Sequence, residues 1–327
     1  MAILLNLLLS GATAFILSKI GFSLFNGNKW LTIIGTLGFL LHPIISQYQI
    51  GAIHPFSLDL LFACLLIYTG VCWNKITWKR AFIFSILIGL AILNRPTLVV
   101  FSIPFMYRML TILKWKPLLW KGGVIVLIGI LPIGMWMVRN HSIYDSWNLN
   151  SSYGQNLWIG IQEATEGTAQ LPNGESYYSL MDDSTIAAIN SLGPVEESNY
   201  FIQKYRQEIA EHPGKWSHMY LLKIKNFWWF RTSLGVDYGA HVTGYLIYYK
   251  IGYCIILILG LLGFLASNRV WRTVLISMLL LSLFQASFYV ETRHRILIEP
   301  FLIISSLLAV QAIYNYFKTR NETGLQL

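Results

Sequence analysis

Nine stretches of this chain are apolar over lengths that approach the thickness of a bilayer: residues 3–24, 31–48, 56–73, 81–94, 97–113, 121–138, 246–266, 272–290 and 296–316. A helix needs about 20 consecutive, mainly apolar residues to cross hydrocarbon. In lipid every backbone polar group must be satisfied internally, so long unbroken runs of this kind fold as helices. The pattern therefore predicts an all-α polytopic membrane protein with about nine transmembrane helices. The composition agrees, with 55% of residues hydrophobic, 12% charged and a mean hydropathy of +0.54, outside the range of ordinary soluble domains. The fourth and fifth stretches are short and are separated only by Asn94, Arg95 and Pro96, which predicts a tight helical hairpin broken at the proline.

The net charge of +9 does not point to nucleic acid, because the basic residues fall in short clusters between apolar runs. Lys19 and Lys29 go with the first segment, Lys75, Lys79 and Arg80 follow the third, and Lys114, Lys116 and Lys121 the fifth. Arg269 and Arg272 follow the seventh, and Lys318 and Arg320 close the last. If all nine segments span, every cluster lies on one side, which the positive-inside rule makes the cytoplasm. The C-terminus is then cytoplasmic and the N-terminus outside. Met1 opens directly into an apolar run with no basic leader, so this topology implies a helix upstream of the given sequence.

Three parts follow: N-terminal transmembrane helices over 1–138, an extracytoplasmic region over 139–245, and C-terminal helices with a short tail over 246–327. The middle region holds eleven of the fifteen acidic residues. Near-helical spacing of Tyr200, Ile202, Tyr205, Ile209 and Ala210 predicts a helix over about 196–216. Lys223 and Lys225 with Trp228 and Trp229 suit a following helix in the headgroup layer. Cys64, Cys72 and Cys254 lie inside apolar runs and read as small hydrophobes.

Charge beside a membrane span is costly and marks groups that face protein or water. Only Asp59, Glu291, Glu299 and Glu322 among the acids lie outside the middle region. Asp59 stands about one turn inside the third segment, where a carboxylate contacts sugar hydroxyls or a cation, or else caps the helix begun at Pro55. His54 beside it reads as structural. Arg95, Arg139, Arg293 and Arg295 fall on the outer side, against the positive-inside trend. The guanidinium fork matches phosphate oxygens, although a lone arginine at a helix end also snorkels to headgroups. Arg293 and Arg295 flank His294 close to Glu291, and with Arg95 they favour a shared phosphate pocket. Glu291 either acts in catalysis or orients an arginine. The histidines lack metal-ligand spacing, and no Walker, GxSxG or GxGxxG element occurs.

Four stretches carry a family resemblance: GLAILNRPTLVVFSIP from Gly89, GILPIGMWMVRNHSIY from Gly129, NLWIGIQEATEG from Asn156 and ETRHRILIEPFLII from Glu291. Together and in this order they resemble the family 39 membrane glycosyltransferases of GT-C fold, relatives of protein O-mannosyltransferases and aminoarabinose transferases. The resemblance covers most of the chain. It implies an integral protein of a bacterial inner or plasma membrane that moves a sugar from a polyprenyl-phosphate-linked donor to a lipid, glycan or protein acceptor. It implies that Arg95, Arg139, Arg293 and Arg295 bind the donor phosphate, and that Asp59 and Glu291 belong to the catalytic centre. Asn156, Trp158 and Gly160 would shape the loop over it. No cofactor is implied beyond a divalent cation in some members.

Two features depart from the family pattern. Its late motif has a tyrosine where this chain has His294, and its first outer loop, which bears the acid proposed as base, would precede Met1. A truncated or inactive member, a non-catalytic scaffold, and a flippase of a lipid-linked saccharide are the other readings. The absence of a second related half weighs against the flippase.

Overall fold

A computed structural model describes residues 2–46, 55–230 and 243–322. The described residues are helical with no β-strand, apart from a single antiparallel bridge between Gln170 and Ser176. They divide into two compact units, Met1–Pro132 with Ile247–Met278 and Ile296–Leu327, and Ile133–Leu246 with Leu279–Arg295. The three-part division of the sequence is thus regrouped. The N- and C-terminal helices share one unit, and Leu279–Arg295 joins the middle region.

The first unit contains α1 (Ala2–Leu24), α2 (Lys29–Leu40), α3 (Phe56–Cys72), α4 (Trp78–Asn94) and α5 (Ile103–Ile112). It also holds the first part of α6 (Trp115–Tyr144), most of α11 (Thr243–Ala266), the start of α12 (Arg269–Ala286) and α13 (Glu299–Glu322). Local chemistry sets several of these boundaries. The Asn28 side chain accepts from Trp30 N at 3.0 Å and Leu31 N at 3.2 Å and so starts α2. The expected break at Pro96 is present, with Arg95 extended at φ −157° and Pro96 opening a 3₁₀ turn, Pro96–Ser102, that leads into α5. Arg108 closes the other end of α3 by donating to the carbonyls of Gly70 and Val71, both at 3.1 Å.

Among the described residues, five helices are long and apolar enough to cross a membrane: Ile3–Leu24, Trp115–Tyr144, Ile247–Ala266, Arg269–Ala286 and Glu299–Arg320. Only 6% of the most apolar window of α6 is buried within the chain, and Leu127 and Met135 are 67% and 74% exposed. Such an outward apolar surface requires lipid around it. The protein is therefore an all-α integral membrane protein. The other four expected spans are shorter. At 1.5 Å per residue, the 17 residues of α3 or of α4 fall short of the about 30 Å of hydrocarbon. The 12 residues of α2 stop before His42 and Pro43, and the fifth stretch divides into a 3₁₀ turn and a ten-residue helix.

Inside this unit Leu17, Ile20, Leu60, Phe84 and Phe105 are almost fully enclosed. Trp271 is enclosed as well and donates from its indole nitrogen to Ser305 Oγ at 3.2 Å. Gly263 lets α11 approach α13, because a Cβ there would stand 1.7 Å from the Ser305 carbonyl oxygen.

The second unit contains α7 (Tyr153–Ile159), α8 (Asp183–Asn190), α9 (Pro194–Glu211), α10 (Pro213–Trp228) and the 3₁₀ turn Tyr177–Leu180. Trp158, Ile159, Tyr177, Ile189 and Phe201 form its core. The single helix expected over 196–216 is instead two. Pro213 has no N–H to continue α9 and opens α10 at its first position. The buried stripe of α9 runs through Ser198 and Phe201, leaving the expected Tyr200 and Tyr205 only partly covered.

Candidate functional site

In the first unit the α3 carboxylate has two partners. Asp59 Oδ1 accepts from Asn94 Nδ2 at 2.6 Å, and Oδ2 pairs with Arg95 at 3.0 Å. The α3 N-terminus has no side-chain cap, so the capping role considered for Asp59 is not the one it plays. The break at Pro96 is what delivers both partners. Asn94 is the last residue of α4, and Arg95 is held extended, so adjacent side chains converge on one carboxylate. The Asp59 side chain is 2% exposed and that of Arg95 is 17% exposed. A partly exposed arginine is thus charge-balanced by a buried carboxylate. His54 lies outside the described residues.

A second buried cluster occurs in the same unit. Glu299 Oε1 accepts from the Tyr249 hydroxyl at 2.6 Å, and Oε2 lies 3.1 Å from His42 Nε2. Nδ1 of His42 accepts from Ile45 N at 3.3 Å, which leaves the proton on Nε2 for the carboxylate. All three residues are less than a tenth exposed. Sequence reasoning noted Glu299 but singled out neither His42 nor Tyr249. The available signal was a His-Pro pair inside one apolar run and a Glu-Pro pair opening another.

In the second unit, the charged stretch that begins at Glu291 leads into a 3₁₀ turn, Thr292–Leu297. Glu291, 5% exposed, forms an ion pair with Arg293 through Nε, and its backbone N–H donates to His294 Nδ1 at 3.1 Å. Arg293 keeps 25% of its side chain exposed. Arg295 is fully enclosed, with its guanidinium 4.5 Å from the Phe230 ring centroid and NH1 3.4 Å from the Trp229 carbonyl. The two arginines that sequence reasoning paired therefore differ. Arg293 keeps a quarter of its side chain exposed, and Arg295 is enclosed under Trp229 and Phe230. Arg139 stacks on Trp136 and Tyr144 of its own helix, at 4.7 Å and 5.9 Å, and donates to Asn140 Oδ1 at 2.8 Å. Arg95 belongs to the first unit and Arg139, Arg293 and Arg295 to the second.

The expected loop-shaping residues Asn156, Trp158 and Gly160 lie in or just after α7. Trp158 is in the core, and Asn156 is half-buried. Gly160 is a close-approach position, since a Cβ there would meet the Phe288 carbonyl oxygen at 2.6 Å and Lys223 Nζ at 2.9 Å. Lys223 belongs to the helix whose lysines and tryptophans suit the headgroup layer. It is instead 1% exposed and donates from Nζ to the Phe288 carbonyl at 2.8 Å. Desolvation by burial holds its amine down to about 7. The α10 face formed by Met219, Lys223, Asn226 and Phe227 turns inward, while Leu221 is 66% exposed. Val290 N completes the bridge by donating to the Gly167 carbonyl at 3.0 Å. The segment before the charged turn is thus tied to α10 and to the loop after α7.

Among the described residues, no group of three or more His, Cys, Asp or Glu is placed to hold a metal ion. Comparison with models of protein families, with characterised proteins and with solved structures gave no match.

Proposed function

We propose that this chain is an inverting glycosyltransferase of GT-C type, with nine spans and a cytoplasmic C-terminus. It would take a sugar from a polyprenyl-phosphate-linked donor and transfer it to a lipid, glycan or protein acceptor at the outer face of a bacterial plasma membrane. The observation that carries this reading is the Asp59–Arg95 pair, a partly exposed guanidinium held in an apolar helical unit by a buried carboxylate. Arg293, backed by Glu291, is the equivalent arrangement in the second unit. In the reaction, an acceptor hydroxyl oxygen bonds to the anomeric carbon as the bond to the donor phosphate oxygen breaks. The hydroxyl proton passes to a base, and the polyprenyl phosphate leaves with the bond's electron pair. Arg95 would oppose the charge that develops on the leaving phosphate, and Asp59 would hold its guanidinium in place. Arg293, held by Glu291, is the candidate phosphate contact of the second unit taken by itself. The enclosure of Arg295 suits it to supporting its turn, and the ring contacts of Arg139 suit it to anchoring α6.

The test is turnover by the full chain in lipid nanodiscs with a radiolabelled polyprenyl-phosphate sugar, read as released polyprenyl phosphate and labelled product. Arg95→Ala and Arg293→Ala should each slow transfer at least a hundredfold, the range seen when one donor to a developing oxyanion is removed. Wild-type turnover in both variants would refute the phosphate assignment.

A further inference from the structure

We infer that the second unit carries a saccharide-binding groove that starts over Trp158 and continues past Glu208 to His218, assigned to a linear, hydroxyl-rich chain of several pyranose rings. Two cavities make it up. One, about 270 Å³, is lined by Trp158, Tyr200, Asp182, Lys204 and Glu208. The other, about 610 Å³, is lined by Glu163, Glu208, Lys215 and His218 among others. Glu208 lines both, so the two cavities border one another at that side chain.

The lining determines the ligand class. Trp158 is 9% exposed, and its indole N–H has no hydrogen-bond partner among the described residues, which leaves a donor for a ligand. Tyr200 and the exposed edge of Trp158 supply apolar ring surface, with Phe201 enclosed behind them. Beside them stand fixed charges of both signs. Hydrogen bonds from Ser184 and Thr185 keep the Asp182 carboxyl well below its usual range. Lys204 lies over the Tyr200 ring at 5.8 Å. Glu208 pairs with Lys215 and accepts from Gln162 at 3.1 Å. A lipid tail would have to desolvate these charges. A free anion would meet Asp182, Glu208 and Glu163, and a cationic peptide would meet Lys204 and Lys215. A sugar ring fits all of it, with a C–H face for the aromatic floor and hydroxyls that donate to carboxylates and accept from ammonium groups.

This inference rests on the proposed transferase only in giving the bound saccharide the role of acceptor. The experiment presents the full chain, in phospholipid nanodiscs free of glycoside detergent, to an array of linear neutral oligosaccharides, with empty nanodiscs as control. Retention of the wild type is expected. Lys204→Glu, at an exposed position, and Trp158→Phe, which keeps an aromatic ring but removes the N–H, should each weaken binding about tenfold, as loss of one ligand hydrogen bond predicts. Retention no greater than that of empty nanodiscs would overturn the groove, as would equal retention of both variants. Binding without any sugar transfer upholds the groove and removes the transferase reading. Transfer to a saccharide acceptor at unchanged KM in Lys204→Glu removes the groove and leaves the transferase reading standing.

Discussion

Lys223→Met should reverse its effect on stability between pH 6 and pH 10. The amine is 1% exposed, and burial brings it from 10.5 to about 7. Each pKa unit is worth about 1.4 kcal/mol, so holding the protonated form inside the folded unit costs on the order of 5 kcal/mol. Between these two values the unfolded chain keeps its proton while the folded amine is neutral, so the wild type gains stability as pH rises from about 7 to 10.5. Below about 7 both states are protonated, and the full penalty applies. Methionine removes the amine but leaves the Phe288 carbonyl without its donor, at a cost of about 1–3 kcal/mol. The variant should therefore be more stable than the wild type by roughly 2–4 kcal/mol at pH 6. At pH 10 it should be equal or less stable. Hydrogen exchange of the intact protein in nanodiscs reads this directly, as protection of amides in 160–168 and 288–290 after correction for intrinsic exchange. A variant-to-wild-type difference that does not change with pH would refute the reasoning, and so would weaker protection in the variant at pH 6.

Two other positions give sharp expectations in the first unit. At Gly263, alanine places a methyl group 1.7 Å from the Ser305 carbonyl oxygen, so α11 and α13 must separate. Overpacking of this kind costs about 1–3 kcal/mol or more, and the thermal unfolding midpoint in nanodiscs should fall by several degrees. At Glu299, alanine removes the partner of His42 and Tyr249, and breaking a buried pair costs about 3–5 kcal/mol. Glutamine can still accept from the tyrosine, so Glu299→Gln should lie between the wild type and Glu299→Ala in the same assay; identical losses would show that the hydrogen bonds contribute little.

The class of fold was legible because it follows from summed hydropathy, which a run such as residues 121–138 carries without reference to its neighbours. Helix boundaries were legible where a single residue decides them, as Pro96 does for α4. What failed was any statement that depends on which way a face points. Lysine beside tryptophan suits headgroups, yet α10 turns Lys223 and Asn226 inward and leaves Leu221 outside. Helical periodicity alone identifies two faces and not which of them meets the core. Lipid accepts an apolar outer face, so an apolar side chain no longer marks the inward one. The His42–Glu299–Tyr249 cluster was invisible for another reason: its members are far apart in sequence, and each alone is a commonplace residue.

Asp59 and Glu291 were both expected in the catalytic centre, and the structure gives each an arginine. With Glu299 on His42 and Tyr249, all three of these acids are hydrogen-bonded or ion-paired, so for one of them to accept a proton in transfer its pairing must change during the reaction. The two roles of Asp59 separate kinetically. If it holds Arg95, Asp59→Asn keeps the hydrogen bonding but not the charge; kcat should fall by less than in Arg95→Ala, and the acid limb of the kcat profile should stay where it is. If it is the base, kcat itself should fall by about 10²–10⁴ and the acid limb should vanish. Asn94 discriminates further. It donates to the other oxygen of the same carboxylate at 2.6 Å, so Asn94→Ala should loosen Arg95 indirectly and reproduce that partial loss of kcat in weaker form. A kcat collapse in Asp59→Asn with an unaltered Asn94→Ala enzyme would make Asp59 the base and refute its role as the support of Arg95.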